Sequence, residues 1–284
     1  MCEVDLLSLA LDIFDFIIHR NKIDEELLMN KYGPTRINFF PDLGFMLPIF
    51  SDHNITTPEY LRIKTDPGQK IGVFLSRTIF HPKHPESYDK ILDNIAYFLV
   101  KLAQMKKSRC FKKNKPTYSI YLIPSSTNPK SQRENDQLIN IDLLEKIKVY
   151  GDFDNIHLIH SGMQIGEILP IFGNFDLTIC TRFHAHVFSV LANVPILSIS
   201  SSRKVENLLF ECKINEYAIK LPVDPEYLAP TELNVWSLFE KYRLIMNQYD
   251  SYLNQLSNMI EFNCNEIKHF KTYLKNLLFT PVKY

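Results

Sequence analysis

The amino-acid sequence predicts an α/β fold in which helices cover both faces of a parallel sheet. Three features carry that reading. Short, unbroken apolar runs recur along the chain, among them KIGVFL (70–75), YSIYLI (118–123), DLTIC (176–180) and PILSIS (195–200). A strand that is apolar at every position, not at alternate ones, is covered on both faces, as in a parallel sheet. Helix-length stretches separate these runs, and strands alternating with helices build right-handed crossover units. Glycine is scarce, with 8 in 284 residues, so the turn signals that do occur stand out as boundaries. Together these features describe a doubly wound, Rossmann-like domain.

In chain order, residues 15–19 (DFIIH) read as a buried strand and 24–32 as a helix with acidic residues in its first turn, ended by Gly33-Pro34. Residues 37–40 are the next strand, which completes a short strand–helix–strand unit within residues 1–50. Residues 51–69, with Pro58 and the Asp66-Pro67-Gly68 turn, read as a linker. The regular series occupies 70–230. Its strands are 70–75, 118–123, 155–160, 176–180, 195–200 and an edge strand at 217–220. Its helices are 88–105, 137–149, a short one at 166–172, 184–192 and 205–211. In residues 231–284, Leu233, Trp236, Phe239, Leu244 and Met246, then Leu253, Leu256, Met259 and Ile260, fall near helical spacing. Two carboxy-terminal helices are expected there, packed on the sheet or at its cleft edge, with a dimerisation hairpin as the alternative.

Bulk composition excludes several classes. Lysine plus arginine equals aspartate plus glutamate at 32 each, so no global field draws the chain onto nucleic acid or anionic lipid. One local basic stretch, Lys106 to Lys115, reads as a solvated loop, with a phosphate or acceptor contact as the alternative. The five cysteines (Cys2, Cys110, Cys180, Cys212 and Cys264) are odd in number and none pair at CxxC spacing. That argues against a disulfide framework and a zinc site, and reduced thiols in a cytoplasmic compartment are expected. The apolar stretch 4–18 carries Asp5, Asp12 and Asp15 and has no basic leader, so it reads as neither a signal peptide nor a membrane span.

Ligands in such sheets bind outside the carboxyl ends of the strands, near the point where strand order reverses. The places to search are therefore Ser76-Arg77, Pro124-Ser125-Ser126, Ser161-Gly162, Thr181-Arg182 and Ser200-Ser201-Ser202. Arg182 and His184 stand where a strand ends and a helix begins. The backbone N–H groups of such a helix start suit an anion, arginine offers a planar fork for carboxylate or phosphate, and histidine exchanges a proton near neutral pH. A capping or surface role is the competing account for both residues. His186, two residues further on, points elsewhere on the helix.

The segment DLTICTRFHAHVFSVLANVPILSISSSRKVENLL (176–209) resembles the hallmark segment of polysaccharide pyruvyl transferases. There an arginine–apolar–histidine–alanine motif opens a helix, and a GVP or NVP turn, a strand and a lysine-containing loop follow. The matching positions are Arg182, Phe183, His184 and Ala185, then Asn193-Val194-Pro195, then Lys204. IGVFLSR (71–77) is similar to the first strand of that family's carboxy-terminal domain, which ends in an arginine. Residues 16–20 with PDLGFML (41–47) resemble its interdomain connection, with Gly44 where alanine is usual.

The resemblance implies a GT-B-like fold and transfer of a pyruvate ketal from phosphoenolpyruvate to a glycan sugar. It implies that Arg77 and Arg182 hold the donor's carboxylate and phosphate, that His184 donates a proton or contacts phosphate, and that Arg20 and Lys204 are further substrate-binding candidates. No metal or cofactor is implied. Asp42 is expected to turn the connection, not to act as a base. Against a whole family member, the chain reads as the last unit of the amino-terminal domain followed by the complete carboxy-terminal one, with a separate polypeptide as one source of the missing half. Two other readings stay open. One is a GT-B-like nucleotide-sugar glycosyltransferase, with Glu206 or Glu211 on the ribose. The other is a non-catalytic subunit of a split transferase.

Overall fold

A computed structural model describes residues 17–19, 25–33, 37–50, 55–77, 85–105, 118–160, 162–200, 202–222 and 231–279. The chain divides into two compact units, Met1–Met46 with Asn258–Tyr284, and Leu47–Ser257.

In the smaller unit, β1 (Ile17–His19) pairs in parallel with β2 (Ile37–Phe39), and α1 (Glu25–Tyr32) connects them. Glu25 and Glu26 lie in the first turn of α1 and Lys31 in its last, each complementing the helix dipole. Gly33, at φ 80°, takes the left-handed conformation just past the helix end, and its N–H donates to Met29 O at 2.9 Å. Tyr32 and Ile37 are buried, with Leu28 and Met29 packed against them. Phe39 stands 5.6 Å from the His19 ring and 6.2 Å from Phe262. Asp42 is a turn residue, its Oδ1 accepting from Gly44 N at 2.9 Å, ahead of the 3₁₀ segment Leu43–Phe50.

The larger unit opens with α2 (Pro58–Thr65), inside the stretch expected to be a linker. Pro58 marks the start of a helix here, because the first helical position needs no N–H donor. Strands β3 (Gln69–Phe74), β4 (Tyr118–Leu122), β5 (Ile156–Leu158), β6 (Leu177–Cys180), β7 (Ile196–Ser200) and β8 (Ala218–Lys220) form one sheet in the order β5-β4-β3-β6-β7-β8, all parallel. That is the doubly wound order, with its reversal between β3 and β6. Helices α3 (Pro85–Gln104) and α4 (Asp136–Lys148) make the first two crossovers and pack against each other. Helices α5 (Ile168–Phe172), α6 (Phe183–Leu191) and α7 (Arg203–Glu211) make the remaining ones. Helix α8 (Val235–Asn247) packs on α3, β7 and β8, and α9 (Tyr249–Phe279) follows. Tyr252, on α9, is wholly buried and both accepts from Ile196 N and donates to Ile196 O, at 3.2 and 3.0 Å. These contacts answer the expectation that the carboxy-terminal helices pack on the sheet.

Every residue of β3, β4, β6 and β7 is buried, as the unbroken apolar runs required. Both links into the last two strands use one device. Helix α6 ends with Asn193 at φ 53°, and Val194 N donates back to Ser189 O; helix α7 ends with Lys213 at φ 59°, and Ile214 N donates back to Leu209 O. Each is a Schellman turn, and the NVP of the sequence is the first of them.

Phe74, Phe172, Phe175 and Phe188 form a linked ring cluster beneath the central strands. Gly72 exists because of that cluster: a Cβ there would lie 2.8 Å from a ring atom of Phe74 and 2.9 Å from two of Phe175. Replacing Gly72 with alanine is expected to lower stability by about 2 kcal/mol through overpacking. Urea unfolding measures it, and an unchanged midpoint would show that the rings give way.

Candidate functional site

The strand reversal brings the end of β3 beside the end of β6, and hydrogen bonds tie the loops that follow. Ser76 N donates to Thr181 Oγ1 at 2.7 Å, and Thr181 N to Phe74 O at 3.0 Å. Arg77 and Arg182, both expected from sequence, thus flank the switch point.

Their surroundings centre on a residue that sequence reading did not single out. Asp136, first in α4, has no exposed surface. Its Oδ1 accepts from Arg182 Nη2 at 2.8 Å, and its Oδ2 from Arg182 Nε at 2.9 Å and Ser126 N at 3.1 Å. The Arg77 backbone N–H also donates to this carboxylate. One side chain therefore joins the loops after β3, β4 and β6 to the start of α4. Burial pushes the Asp136 carboxyl up from its ordinary value, and Arg182 and the two backbone N–H donors pull it back. Donors on both oxygens are the partners of an ionised carboxylate, so the pair is guanidinium and carboxylate. Arg182 is engaged through Nε and Nη2, and its Nη1 edge has no part in this fork.

The Arg77 guanidinium carbon lies 5.9 Å from the ring centre of Tyr88 on α3, a cation–π contact. Tyr88 is itself fixed, its hydroxyl donating to Asp142 Oδ2 at 2.5 Å. Burial, then that hydrogen bond to a carboxylate, raise the Tyr88 phenol far above its ordinary value, so it stays protonated. His184, in the first turn of α6, is exposed and lies beside Phe183 and Phe188, with ring centres 5.4 and 6.0 Å away. Lys204, in the first turn of α7, is exposed at the end of β7, where Ser202 caps the helix by accepting from Val205 N. The structure thus brings Arg77, Arg182 and His184 to the switch point and sets Lys204 one strand further along the same edge. Arg20 and the basic stretch 106–115 lie outside the described residues.

His186 points into the fold and is wholly buried. Its Nδ1 donates to Arg182 O at 2.7 Å, since a carbonyl only accepts, and its Nε2 then accepts from Ser198 Oγ at 2.8 Å. Burial lowers its pKa from 6.5 to about 4, against the hydrogen bond to Arg182 O. Glu206, offered as a ribose ligand, instead holds Lys220 on β8 at 3.0 Å. Among the described residues no group of three His, Cys, Asp or Glu could hold a metal, and no helix is long and apolar enough to cross a membrane. Cys180 and Cys212 are buried, and burial pushes both thiols up, Cys180 to about 12.

Two outcomes follow from this geometry. Asp136→Ala leaves the Arg182 cation without its carboxylate and is expected to cost about 3 kcal/mol in urea unfolding; a loss below about 1 kcal/mol would show that Arg182 finds another partner. His186 is depressed on folding, so its contribution is complete above pH 6.5 and is lost as pH falls towards 4. Wild-type stability is expected to drop by about 3 kcal/mol through that window on this account, and His186→Gln to flatten the profile. Parallel profiles would assign the drop to other groups.

The family model described as polysaccharide pyruvyl transferase matches residues 4–203. No curated protein matches the sequence. Among solved structures, a Listeria monocytogenes protein assigned as a UDP-N-acetylglucosamine 2-epimerase superposes with a TM-score of 0.59 at 10% identity, over 95% of this chain and 62% of its own. A Neisseria meningitidis UDP-GlcNAc 2-epimerase bound to UDP-GlcNAc gives 0.56 at 12%, over 94% and 63%. An α,α-trehalose-phosphate synthase from Burkholderia vietnamiensis gives 0.52 at 11%, over 96% and 61%. At such identities the likeness is one of fold, the GT-B-like α/β architecture, and the chain spans a little over three-fifths of the length of these structures. The family match runs through both arginines, the helix that begins beside Arg182 and the strand that follows it, over well more than half of the residues: the chain belongs to the polysaccharide pyruvyl transferase family.

Proposed function

We propose that the chain binds phosphoenolpyruvate at the β3–β6 switch point and serves transfer of its pyruvyl group to a saccharide as a ketal. The observation that carries this reading is the placement of Arg77 and Arg182 on either side of the reversal, with His184 exposed in the first turn of α6 between them and Lys204. A donor bearing a carboxylate and a phosphate needs two separated cationic contacts, and guanidinium groups beside a helix start supply them. Arg77 and Lys204 would meet the phosphate. Arg182, held by Asp136 through Nε and Nη2, would turn its Nη1 edge to the carboxylate. Arg20 is a further contact on the family pattern.

In the transfer, two hydroxyl oxygens of one sugar bond to C2 of the donor and the bond from C2 to the phosphate oxygen breaks. C3 gains one proton. Of the two hydroxyl protons released, one balances that gain and the other leaves with phosphate. His184, at the solvent face, is the candidate acid for C3, since an imidazole exchanges protons near neutral pH. The nucleotide-sugar reading shares the fold; of its two ribose candidates, Glu206 is paired with Lys220 on β8, two strands away from β6, and Glu211 is the last residue of α7.

Calorimetric titration of the chain with phosphoenolpyruvate, beside a nucleotide sugar, tests this. Phosphoenolpyruvate is expected to bind, and Arg77→Ala and Arg182→Ala each to weaken it by at least about tenfold. His184→Ala is expected to leave affinity within about threefold while abolishing turnover. Binding of the nucleotide sugar in place of phosphoenolpyruvate, or affinity indifferent to both arginines, would overturn the reading.

A further inference from the structure

Beyond the switch point, at the edge of the sheet, α7 and β8 line an open cavity of about 350 Å³. That lies within the volume range of small-molecule sites. Its polar lining is Ser200 at the end of β7, Glu206 and Asn207 on α7, Asn215 before β8, and Lys220 at the end of β8. Leu209 and Ala218 give it an apolar floor. Phe210 lines it too and is 60% exposed, a large apolar side chain left in water on an otherwise polar rim.

We infer that this cavity is a saccharide-binding subsite. Charge decides against an anionic ligand. Glu206 and Lys220, one of each sign, bridge helix and strand at 3.0 Å. A phosphate or carboxylate would have to draw Lys220 from its partner and lie against Glu206. A neutral polyol has no such conflict. Each hydroxyl both donates and accepts, so neighbouring hydroxyls can give to the Glu206 carboxylate and receive from the Lys220 ammonium while the pair stays intact. The carboxamides of Asn207 and Asn215 likewise present a donor and an acceptor each. The ring face of Phe210 matches the C–H face of a pyranose, as an aromatic platform takes a flat ligand. Both ion-pair partners keep contact with water, 34% and 74% exposed, so filling the cavity does not strand a charge.

The lining runs from Ser200 and Lys220, at the carboxyl ends of β7 and β8 on the same edge of the sheet as Lys204, to Phe210 in the last turn of α7 and Asn215 before β8. A sugar seated at the Ser200–Lys220 end lies one strand beyond the proposed donor position. If the donor reading above holds, the subsite takes a residue of the acceptor glycan; that assignment rests on the donor reading, whereas sugar binding in the cavity does not.

Saturation-transfer NMR of the chain with galactose, glucose, mannose and N-acetylglucosamine at millimolar concentration tests the inference, with uridine monophosphate as the charged probe. At least one neutral sugar is expected to bind. Phe210→Ala and Asn207→Ala, both at the rim, are each expected to weaken it by about fivefold, with melting temperature and phosphoenolpyruvate affinity unchanged. Sugar binding without phosphoenolpyruvate binding would sink the donor reading and leave the subsite standing. No saturation transfer to any sugar, transfer that survives both variants, or uridine monophosphate displacing the sugar would overturn the subsite itself.

Discussion

The contact between Asp136 and Arg182 is the constraint on which the rest of the site depends. A carboxylate with no exposed surface has to be matched by donors on each oxygen, and the chain supplies them from three loops: the Arg182 fork, Ser126 N and Arg77 N. Those loops follow β6, β4 and β3, so one buried charge fixes the carboxyl edge at the point where strand order reverses. A well-packed apolar residue would stabilise the interior as well or better. What it could not do is hold a guanidinium in one orientation while leaving its other edge open. Asp136 also answers the Arg182 charge, so in the proposed site the uncompensated positive charge comes from Arg77 and Lys204, and Arg182 contributes directed hydrogen bonds from Nη1.

Arg182 is restrained from a second side. Its carbonyl receives the Nδ1 proton of His186, whose Nε2 takes the hydroxyl of Ser198 on β7. The backbone at the start of α6 is thereby tied to β7 through a ring that burial keeps neutral. The two histidines of the RFHAH segment divide the work: His184 faces outward and His186 inward, because residues two apart on a helix point in different directions.

Much of this was legible in the sequence. Apolar runs marked the strands because a doubly covered strand has no polar face to interrupt the pattern, and the strand termini located Arg77 and Arg182. The prolines of 51–69 signal a break in the pattern and conceal a helix, because Pro58 occupies the first helical position, where proline costs no hydrogen bond. Asp136 was illegible for a different reason. At the start of a helix an acidic residue is ordinarily read as complementing the dipole, and its actual partner lies 46 residues away. Likewise the pairing of Glu206 with Lys220 depends on the strand that α7 feeds, which no local pattern states.

The spacing of the sheet contacts has a consequence for the order in which the molecule assembles. The links from α6 into β7 and from α7 into β8 close their backbone bonds within a few residues, as Val194 to Ser189 and Ile214 to Leu209 show. The pairing of β3 with β6 joins segments about a hundred residues apart, and Ser76 and Thr181 are separated by 105. Loop-closure entropy is therefore concentrated on the central pair, and contacts of that sequence separation slow folding. Helices and the β6–β8 side of the sheet can form locally, but Arg77 and Arg182 meet only when the two halves of the sheet join. A partly folded chain can retain its helical content and still have no switch point, so formation of the β3–β6 pairing, not recovery of circular dichroism, reports completion of the fold.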